Sequence, residues 1–473
     1  MSSDLAFRSV VELSRLIGDR QISPVDVVAA LLDAIDRWNS TLRSYITVCA
    51  ESALADARRA ERDIAAGDYR GPLHGIPVSH KDISWTAGIR TTAHSKILLD
   101  YVPDADATHV ARLQRAGMIL LGKTNTTEFA TGGMEIFGTT RNPWDLTSFT
   151  GASSGGSANA LAAGLAVAAT GSDTGGSIRI PSSFCGVVGV KPTFGRVSRH
   201  GLIALSYTMD HVGPMARTVA DCALLLRQMA GYDPLDPSSS QVPIPDFAAG
   251  FDRGLAGTVL GVPEHHFYEN LDPEVDVALR SALQRFEHLG ARLEPVAVPH
   301  AGDMMPVGLI LSYVESFSQH AEWLRARAAE YGTRSRRRFC AGAFYTAAEY
   351  QQAMQLRTLW IQELDDVFQR VDALVTPTVP FPAFAIAVQE SGPPNTTWNT
   401  RHFNVSGHPA LSLPCGFSAA GLPIGMQLTG KWFDEPTLFR IAHAYEQSTR
   451  WHKQRPSLQE EPYEPSESRL AAG

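Results

Sequence analysis

Between Ser23 and Trp38 the apolar residues Val27, Leu31, Ile35 and Trp38 recur every third or fourth position, the spacing that lines one face of a helix. Ser23 as N-cap, Pro24 at the first helical position and Asp26 in the first turn mark its start. ESALADARRAERDIAAG follows as a second amphipathic helix closed by Gly67. From Gly71 the texture changes. GIPVSHKDI reads as a short strand, DATHVARLQRAG as a helix and MILLGKT as a buried strand. Further on, DPEVDVALRSALQRFEHLGARLEPVAV reads as a capped helix, a break at Gly290 and a strand, and RVDALVTPTVP as a strand entering a turn. Helices alternating with short apolar runs predict an α/β fold, a sheet covered on both faces. The expected organisation is a helical segment over 1–66 packed on the core, a main domain over 67–455, and a polar, mobile tail over 456–473. PLDPSSSQVPIP (234–245) is expected to be a loop, or a seam between two lobes.

Composition narrows the class. The 473 residues are 44% hydrophobic and 19% charged, with a net charge of -8, which suits a soluble globular protein and argues against a nucleic-acid or anionic-membrane surface. The basic run RSRRR (Arg334 to Arg338) is the local exception, read as a solvated helix face. Five scattered cysteines (Cys49, Cys185, Cys222, Cys340, Cys415) contain no C-x-x-C pair, so neither a disulfide framework nor a zinc site is expected. MSSDLAFRSVVELS lacks a basic region followed by an apolar run, and ALAAGLAVAATG is too short to span a bilayer. A cytoplasmic location and no membrane contact are expected.

Three glycine-rich stretches carry candidate chemistry. GMILLGKT (Gly117 to Thr124) matches the phosphate-loop pattern G-x-x-x-x-G-K-[ST]. Here, however, a helix precedes the first glycine and the intervening residues are themselves a strand, which cannot curl round a phosphate. GASSG (Gly151 to Gly155) matches the nucleophile elbow G-x-S-x-G with Ser153 as nucleophile. An elbow needs a histidine downstream, and His211, His402, His408 and His443 are available, so an α/β-hydrolase-type esterase stays open. TGSDTGGSIRIP (Thr170 to Pro181) presents Ser177 after two glycines. A small-residue helix, GGSANALAAGLAVA, joins the two clusters and brings Ser153 and Ser177 into one neighbourhood.

GASSGGSANALAAGLAVAATGSDTGGSIRIPSSFCGVVGVKPT (Gly151 to Thr193) resembles the amidase signature sequence. GPLHGIPVSHKDI, GKTNTTEFATGG, RVDALVTPTVP, NVSGHPALSLPCGF and GLPIGMQLTG are similar to other blocks of that family, so the resemblance runs from about Ser9 to Trp451. It implies a single α/β/α domain on a large twisted mixed sheet, and a Ser-Ser-Lys hydrolase of carbon–nitrogen bonds with no metal and no cofactor. By that resemblance Ser177 is the nucleophile, Ser153 the bridging serine and Lys81 the base. Two departures are visible: Ala152 stands where the family often has glycine, and His80 precedes Lys81 where an apolar residue is usual. The glycines let backbone N–H groups converge, so Thr174, Gly175, Gly176 and Ser177 are the candidate oxyanion hole. Asp173 and Arg179 are expected to hold that loop, with Ser154 in support. Lys81 follows an apolar strand, where burial would pull its pKa toward ~7–8 and free it to act as a base.

For the substrate, TGGMEIFG places Gly132, Gly133 and Met134 beside the acyl site by the same resemblance, and Met134, Phe137, Trp398 and Phe403 are candidates for an apolar wall. The texture also resembles the glutaminase subunit of tRNA-dependent amidotransferases, which holds the glutamine ammonium with an acid shortly before its N-x-x-G-x-P block. Ser391 to Asn404 contains no acid, although Arg357 matches the carboxylate-binding arginine in position. The expectation is therefore a stand-alone amidase cleaving an amide, anilide or carbamate (urethanase chemistry included), with a small-molecule substrate, no nucleic acid and a possible homodimer. The alternative is a glutaminase-type subunit working with partner subunits.

Overall fold

The computed structural model describes residues 5–458. Its strands are β1 (Tyr45–Val48), β2 (Pro77–Lys81), β3 (Ile119–Thr124), β4 (Arg141–Asn142), β5 (Asp145–Phe149), β6 (Ala168–Asp173), β7 (Val188–Lys191), β8 (His211–Ala216), β9 (Val259–Pro263), β10 (Arg292–Val296), β11 (Ala373–Pro377), β12 (Ala410–Phe417) and β13 (Pro423–Gly430). Eleven of these form one mixed sheet in the order β1-β3-β2-β6-β8-β7-β12-β13-β11-β9-β10, and β4 pairs with β5 in a separate ribbon. β2 runs parallel to both β3 and β6, and β9 to both β10 and β11. The antiparallel pairs β6–β8, β8–β7, β7–β12, β12–β13 and β13–β11 join these two parallel groups. Helices cover both faces, as the alternating pattern predicts.

The first helix signals are realised in detail. Helix Pro24–Leu42 opens with a capping box between Ser23 and Asp26, and buries Val27, Leu31 and Ile35. The segment over 1–66 is not purely helical, however. Tyr45–Val48 adds β1 to the sheet edge against β3, so this segment is continuous with the core sheet. Its four residues are too few to show a strand periodicity beside two long helices. The loop over 234–245 is no seam between lobes, because β8 before it and β9 after it belong to one sheet. Of the tail over 456–473, only 456–458 fall within the described residues. Among the described residues no helix is long and apolar enough to cross a membrane.

GMILLGKT is a strand for most of its length, β3. Lys123 points into the protein, donating to the Ser84 carbonyl at 2.7 Å and Thr91 Oγ1 at 2.6 Å, with Asp82 Oδ1 3.6 Å away. A lysine so committed offers nothing to a phosphate.

Between the two serine–glycine clusters runs helix Gly155–Ala162, all of whose residues are buried. Gly156 shows why small residues stand there: a Cβ would come within 2.5 Å of the Asn125 backbone and 2.6 Å of the Ser44 carbonyl. At the far end of the sheet, helix Ala347–Val367 buries Trp360 completely. The indole N–H donates at 3.0 Å to the carbonyl of His402, in the short helix His402–Ser406 next to the site. Trp360→Ala should lower the unfolding free energy by about 3–5 kcal/mol through the cavity it leaves, read as a drop in the urea midpoint at unchanged slope.

Candidate active site

Three backbone segments meet at the carboxyl ends of β2 and β6. β2 delivers Lys81 as its last residue, and β6 ends at Asp173 and runs straight into the Thr174–Ser177 turn. The Gly151–Ser154 turn lies beside it, with a cis peptide bond between Ala152 and Ser153. Gly176 has φ +128°, and a Cβ there would overlap Thr400 Oγ1, so the turn needs glycine at that position.

Lys81 is 1% exposed and Ser153 fully buried. Lys81 Nζ donates to Ser153 Oγ at 2.5 Å and to Ser172 Oγ at 2.9 Å. No carboxylate lies within ion-pair distance of it among the described residues. Asp82, its neighbour in sequence, instead accepts from the Thr92 backbone N–H at 2.9 Å and from Thr92 Oγ1 at 2.5 Å, and faces Lys123. Burial penalises the Lys81 ammonium and brings its pKa down to about 7, against weaker support for the cation from Asp173 and Asp210. His80 points to the opposite face, as strand pleating requires: its Nδ1 lies 3.1 Å from Thr170 Oγ1, and burial holds the ring neutral. It touches neither serine, and the lysine environment is made of hydroxyls.

Ser177 is half-buried and lines a cavity of about 340 Å³ together with Ala152, Thr174 and Gly175. Ser153 does not reach that cavity. Ser154 ties the two turns together: its N–H donates to the Ser177 carbonyl at 3.1 Å and its hydroxyl to the Ser172 carbonyl at 3.2 Å. One expected oxyanion donor differs. The Gly176 N–H donates to Asp173 Oδ1 at 2.7 Å, which leaves Thr174, Gly175 and Ser177 as the turn's amides without a hydrogen bond among the described residues. The sequence cannot separate these amides, because which one turns inward depends on the Asp173 rotamer.

Asp173 and Arg179 are both fully buried and paired at 2.9 Å. Burial alone would raise the Asp173 pKa, but the Arg179 guanidinium and the Asn404 amide hold it below the usual carboxylate range. Arg179 also donates to the Thr400 carbonyl at 2.9 Å, Gln427 Oε1 at 2.6 Å and Asn404 Oδ1 at 2.7 Å. Thr174 Oγ1 donates to Asp210 at 2.6 Å, and Thr400 Oγ1 to the Gly175 carbonyl at 2.7 Å.

The substrate side departs further from expectation. Gly132 lines the cavity, whereas Gly133 and Met134 line an adjoining one of about 620 Å³. Phe403 sits in the core, Trp398 stacks on His266 at 4.7 Å and Phe137 packs edge-on against His94 at 5.2 Å, so none of the three walls the pocket. Arg357 is absent from the lining and donates to the Thr208 carbonyl at 3.1 Å. The arginines that do line the pocket are Arg334, Arg338 and Arg401. Half of the basic run is thus a pocket wall. Arg334 and Arg338 face inward one helical turn apart, while Arg336 and Arg337 are exposed, Arg337 at the edge of the adjoining cavity. Helical spacing applied to RSRRR would have separated these two faces. The four histidines an elbow could use are committed elsewhere: His211 contacts the Met209 carbonyl at 2.7 Å, His402 the Ala301 carbonyl at 2.9 Å and the Trp432 indole donates to His408 at 3.1 Å, while His443 stacks on Phe251 at 4.0 Å. Ser153 has Lys81 as partner instead, which removes the support for the esterase alternative.

The fold and site together define a hydrolase of carbon–nitrogen bonds. The chain belongs to the amidase family, whose model matches residues 26–439. It is 41% identical over 485 aligned residues to one subunit of the glutamyl-tRNA(Gln) amidotransferase of Moorella thermoacetica, covering 96% of this chain and 99% of that one. Among solved structures it is similar to a chain from a study of a vestigial protein complex and the origins of an s-triazine catabolic enzyme, with a TM-score of 0.89 and 32% identity over 93% of this chain and 98% of the other. The corresponding amidotransferase subunit from Thermotoga maritima gives a TM-score of 0.81 and 34% identity over 94% of this chain and 95% of that one. These relatives correct the expected partners. Proteins alike over nearly their whole length are named as subunits, so the expectation of a chain meeting only a small molecule, alone or as a homodimer, does not stand. The stand-alone amide, anilide or carbamate hydrolase also fits less well than the glutaminase-type alternative. The case for a small apolar substrate rests on a missing acid, a signal that says nothing about subunits.

Asp173→Asn should destabilise the fold by about 3–5 kcal/mol, because it leaves the Arg179 guanidinium buried without its counter-charge. Urea unfolding of the variant, followed by tryptophan fluorescence, checks this.

Proposed function

We propose that this chain is the amide-hydrolysing subunit of a multi-subunit enzyme, built like a glutaminase-type subunit and releasing ammonia from a primary carboxamide through an acyl-enzyme on Ser177. The observation that carries it is a buried Lys81 bound to the Ser153 hydroxyl, in a turn tied through Ser154 to the one whose Ser177 opens on a cavity. The full-length likeness to amidotransferase subunits supports a role within a complex.

An amide carbonyl is a weak electrophile and a serine hydroxyl a weak nucleophile, so the hydroxyl proton must be removed and the oxyanion held. Ser177 Oγ attacks the carbonyl carbon and passes its proton to Ser153 Oγ, which gives its own to neutral Lys81 Nζ. The amides of Gly175 and Ser177, with Thr174 beside them, receive the oxyanion. Collapse of the tetrahedral intermediate breaks the carbon–nitrogen bond, and the proton returns along the same path to the leaving nitrogen, freeing ammonia. Water then attacks the ester, Lys81 again taking the proton by way of Ser153, and the acid leaves as Ser177 regains its hydrogen. Asp173 and Arg179 act as positioning residues for the turn.

Ammonia release from glutamine and other primary amides, with the chain alone and with its co-expressed partner subunits, tests the assignment. Ser177→Ala should abolish it in both. A fluorophosphonate adduct mapped to Ser153 instead of Ser177 would refute the mechanism. A base at pKa about 7 must be deprotonated to work, so kcat/KM should rise with pH up to about 7 and then level off. Lys81→Arg cannot accept a proton and should lose about 10²–10⁴ in kcat while keeping its circular dichroism spectrum.

A further inference from the structure

We propose that the carboxamide hydrolysed here carries a carboxylate on its acyl side, received by Arg401 together with Arg338 and Arg334. The proposal rests on the assignment of Ser177 as the acyl-carrying residue, and it names the substrate class for that site.

Arg401 reaches the nucleophile's turn because two glycines make way for it. A Cβ on Gly308 would lie 2.6 Å from Arg401 Cδ, and one on Gly175 would lie 3.2 Å from Cζ, 3.3 Å from Nη2 and 3.4 Å from Nη1. The near-equal distances lay the guanidinium flat over Gly175, next but one to Ser177. Its own hydrogen bonds are long, 3.3–3.5 Å, to Thr397 Oγ1 and the Gly308 carbonyl. Arg338 is anchored through Nη1 alone, to the Thr131 carbonyl at 2.9 Å and Thr131 Oγ1 at 2.7 Å. Arg334 has no hydrogen bond or ion pair among the described residues. Each of the three keeps donors for a ligand.

Counter-charge is missing where these cations converge. Among the described residues no carboxylate comes within 4.0 Å of any of them. Glu135 favours the Arg334 cation only from a distance, and Asp173 is held by Arg179. Burial, and after it the field of Arg338, pulls Arg401 down to about 10. Such a group is stabilised by an arriving anion, and guanidinium forks suit a carboxylate. Leu205, Met305, Leu309 and Phe339 complete the wall, which suits a short methylene chain between carboxylate and amide. An ammonium group, by contrast, would meet arginines and no acid on the wall of this cavity, where Thr397 stands next to Arg401; Glu135 and Glu390 line the adjoining cavity instead. The pocket therefore favours the monoamide of a short dicarboxylic acid over glutamine, which adds an α-ammonium to the same skeleton.

The test uses the full chain with butyramide, glutamine and glutaramate, the desamino analogue of glutamine. The kcat/KM for glutaramate should exceed that for either of the others by at least about tenfold, the worth of one charge-assisted hydrogen bond. In Arg401→Gln and Arg338→Gln that preference should collapse, chiefly through KM. Equal rates for butyramide and glutaramate, or a preference that survives both substitutions, would overturn the proposal. A preference for glutamine over glutaramate would overturn its ammonium clause. If none of the amides is turned over, titration calorimetry with glutarate decides separately: binding that is lost in the arginine variants supports the anion pocket even as the amidase assignment fails, and no binding to the wild type overturns it. Should Arg401→Gln prove unfolded by circular dichroism, Arg338→Gln and Arg334→Gln carry the comparison.

Discussion

A buried carboxylate and a buried guanidinium, Asp173 and Arg179, hold the site together. Neither ion is tolerable alone in an interior that excludes water. Each is therefore obliged to find every partner it can, and those partners come from distant parts of the chain. Asp173 takes the Gly176 and Ile178 amides of its own turn, while Arg179 takes Gln427 from β13, Asn404 from the short helix and the Thr400 carbonyl. A local turn of glycines is thereby bolted to two C-terminal segments more than two hundred positions away in sequence. The same bolt sets the position of Thr400, whose hydroxyl holds the Gly175 carbonyl, and of Arg401 beside it. Nucleophile turn and substrate arginine share one foundation.

Two lysines on neighbouring strands show how environment assigns different roles to one side chain. Lys81 and Lys123 lie at the ends of β2 and β3, are equally buried and occupy adjacent register positions. Lys123 has Asp82 and a carbonyl close by, and its pKa comes down only to about 8. Lys81 has hydroxyls alone, and its pKa comes down to about 7. The carboxylate that would have stabilised its ammonium is the next residue along the chain, but pleating sends that side chain the other way. An acid adjacent in sequence is thus no guide to the charge state of a strand residue. What counts is the face on which it sits.

Much of the fold was legible because its signals are local. The capping box at Ser23, the Asp272–Pro273 helix start and the Gly290 break each act within a few residues, and the structure carries all three. β1 escapes a pattern reading because a four-residue strand at a sheet edge depends on β3, not on its own pattern. Within the site, the Ser153, Ser177 and Lys81 neighbourhood follows from two glycine clusters and a family likeness. The pocket wall does not. Trp398 and Phe403 are aromatic and close to the site in sequence, yet one stacks on a histidine and the other fills the core. Arg357 holds the position a family comparison favours, and it serves Thr208 instead.

The basic run shows where pattern reading stops. RSRRR has the density of a solvated face, and two of its arginines, Arg336 and Arg337, are exposed as such a face requires. The other two sit one helical turn apart beside Ser335 and Phe339, both buried, so the helix has an inner face and these arginines lie at its border. Whether a border arginine is structural or receptive depends on what opposes it. Opposite Arg334 and Arg338 stands Arg401, reaching the same cavity from a segment without a single acid. Like charges brought together by separate backbone segments raise the energy of the empty pocket; of the three only Arg338, through Thr131, has short bonds to the protein, and Arg401 occupies the space that Gly175 and Gly308 leave. A pocket that keeps cations in that space, next to a turn prepared for an oxyanion, is arranged for a second negative charge on the same ligand.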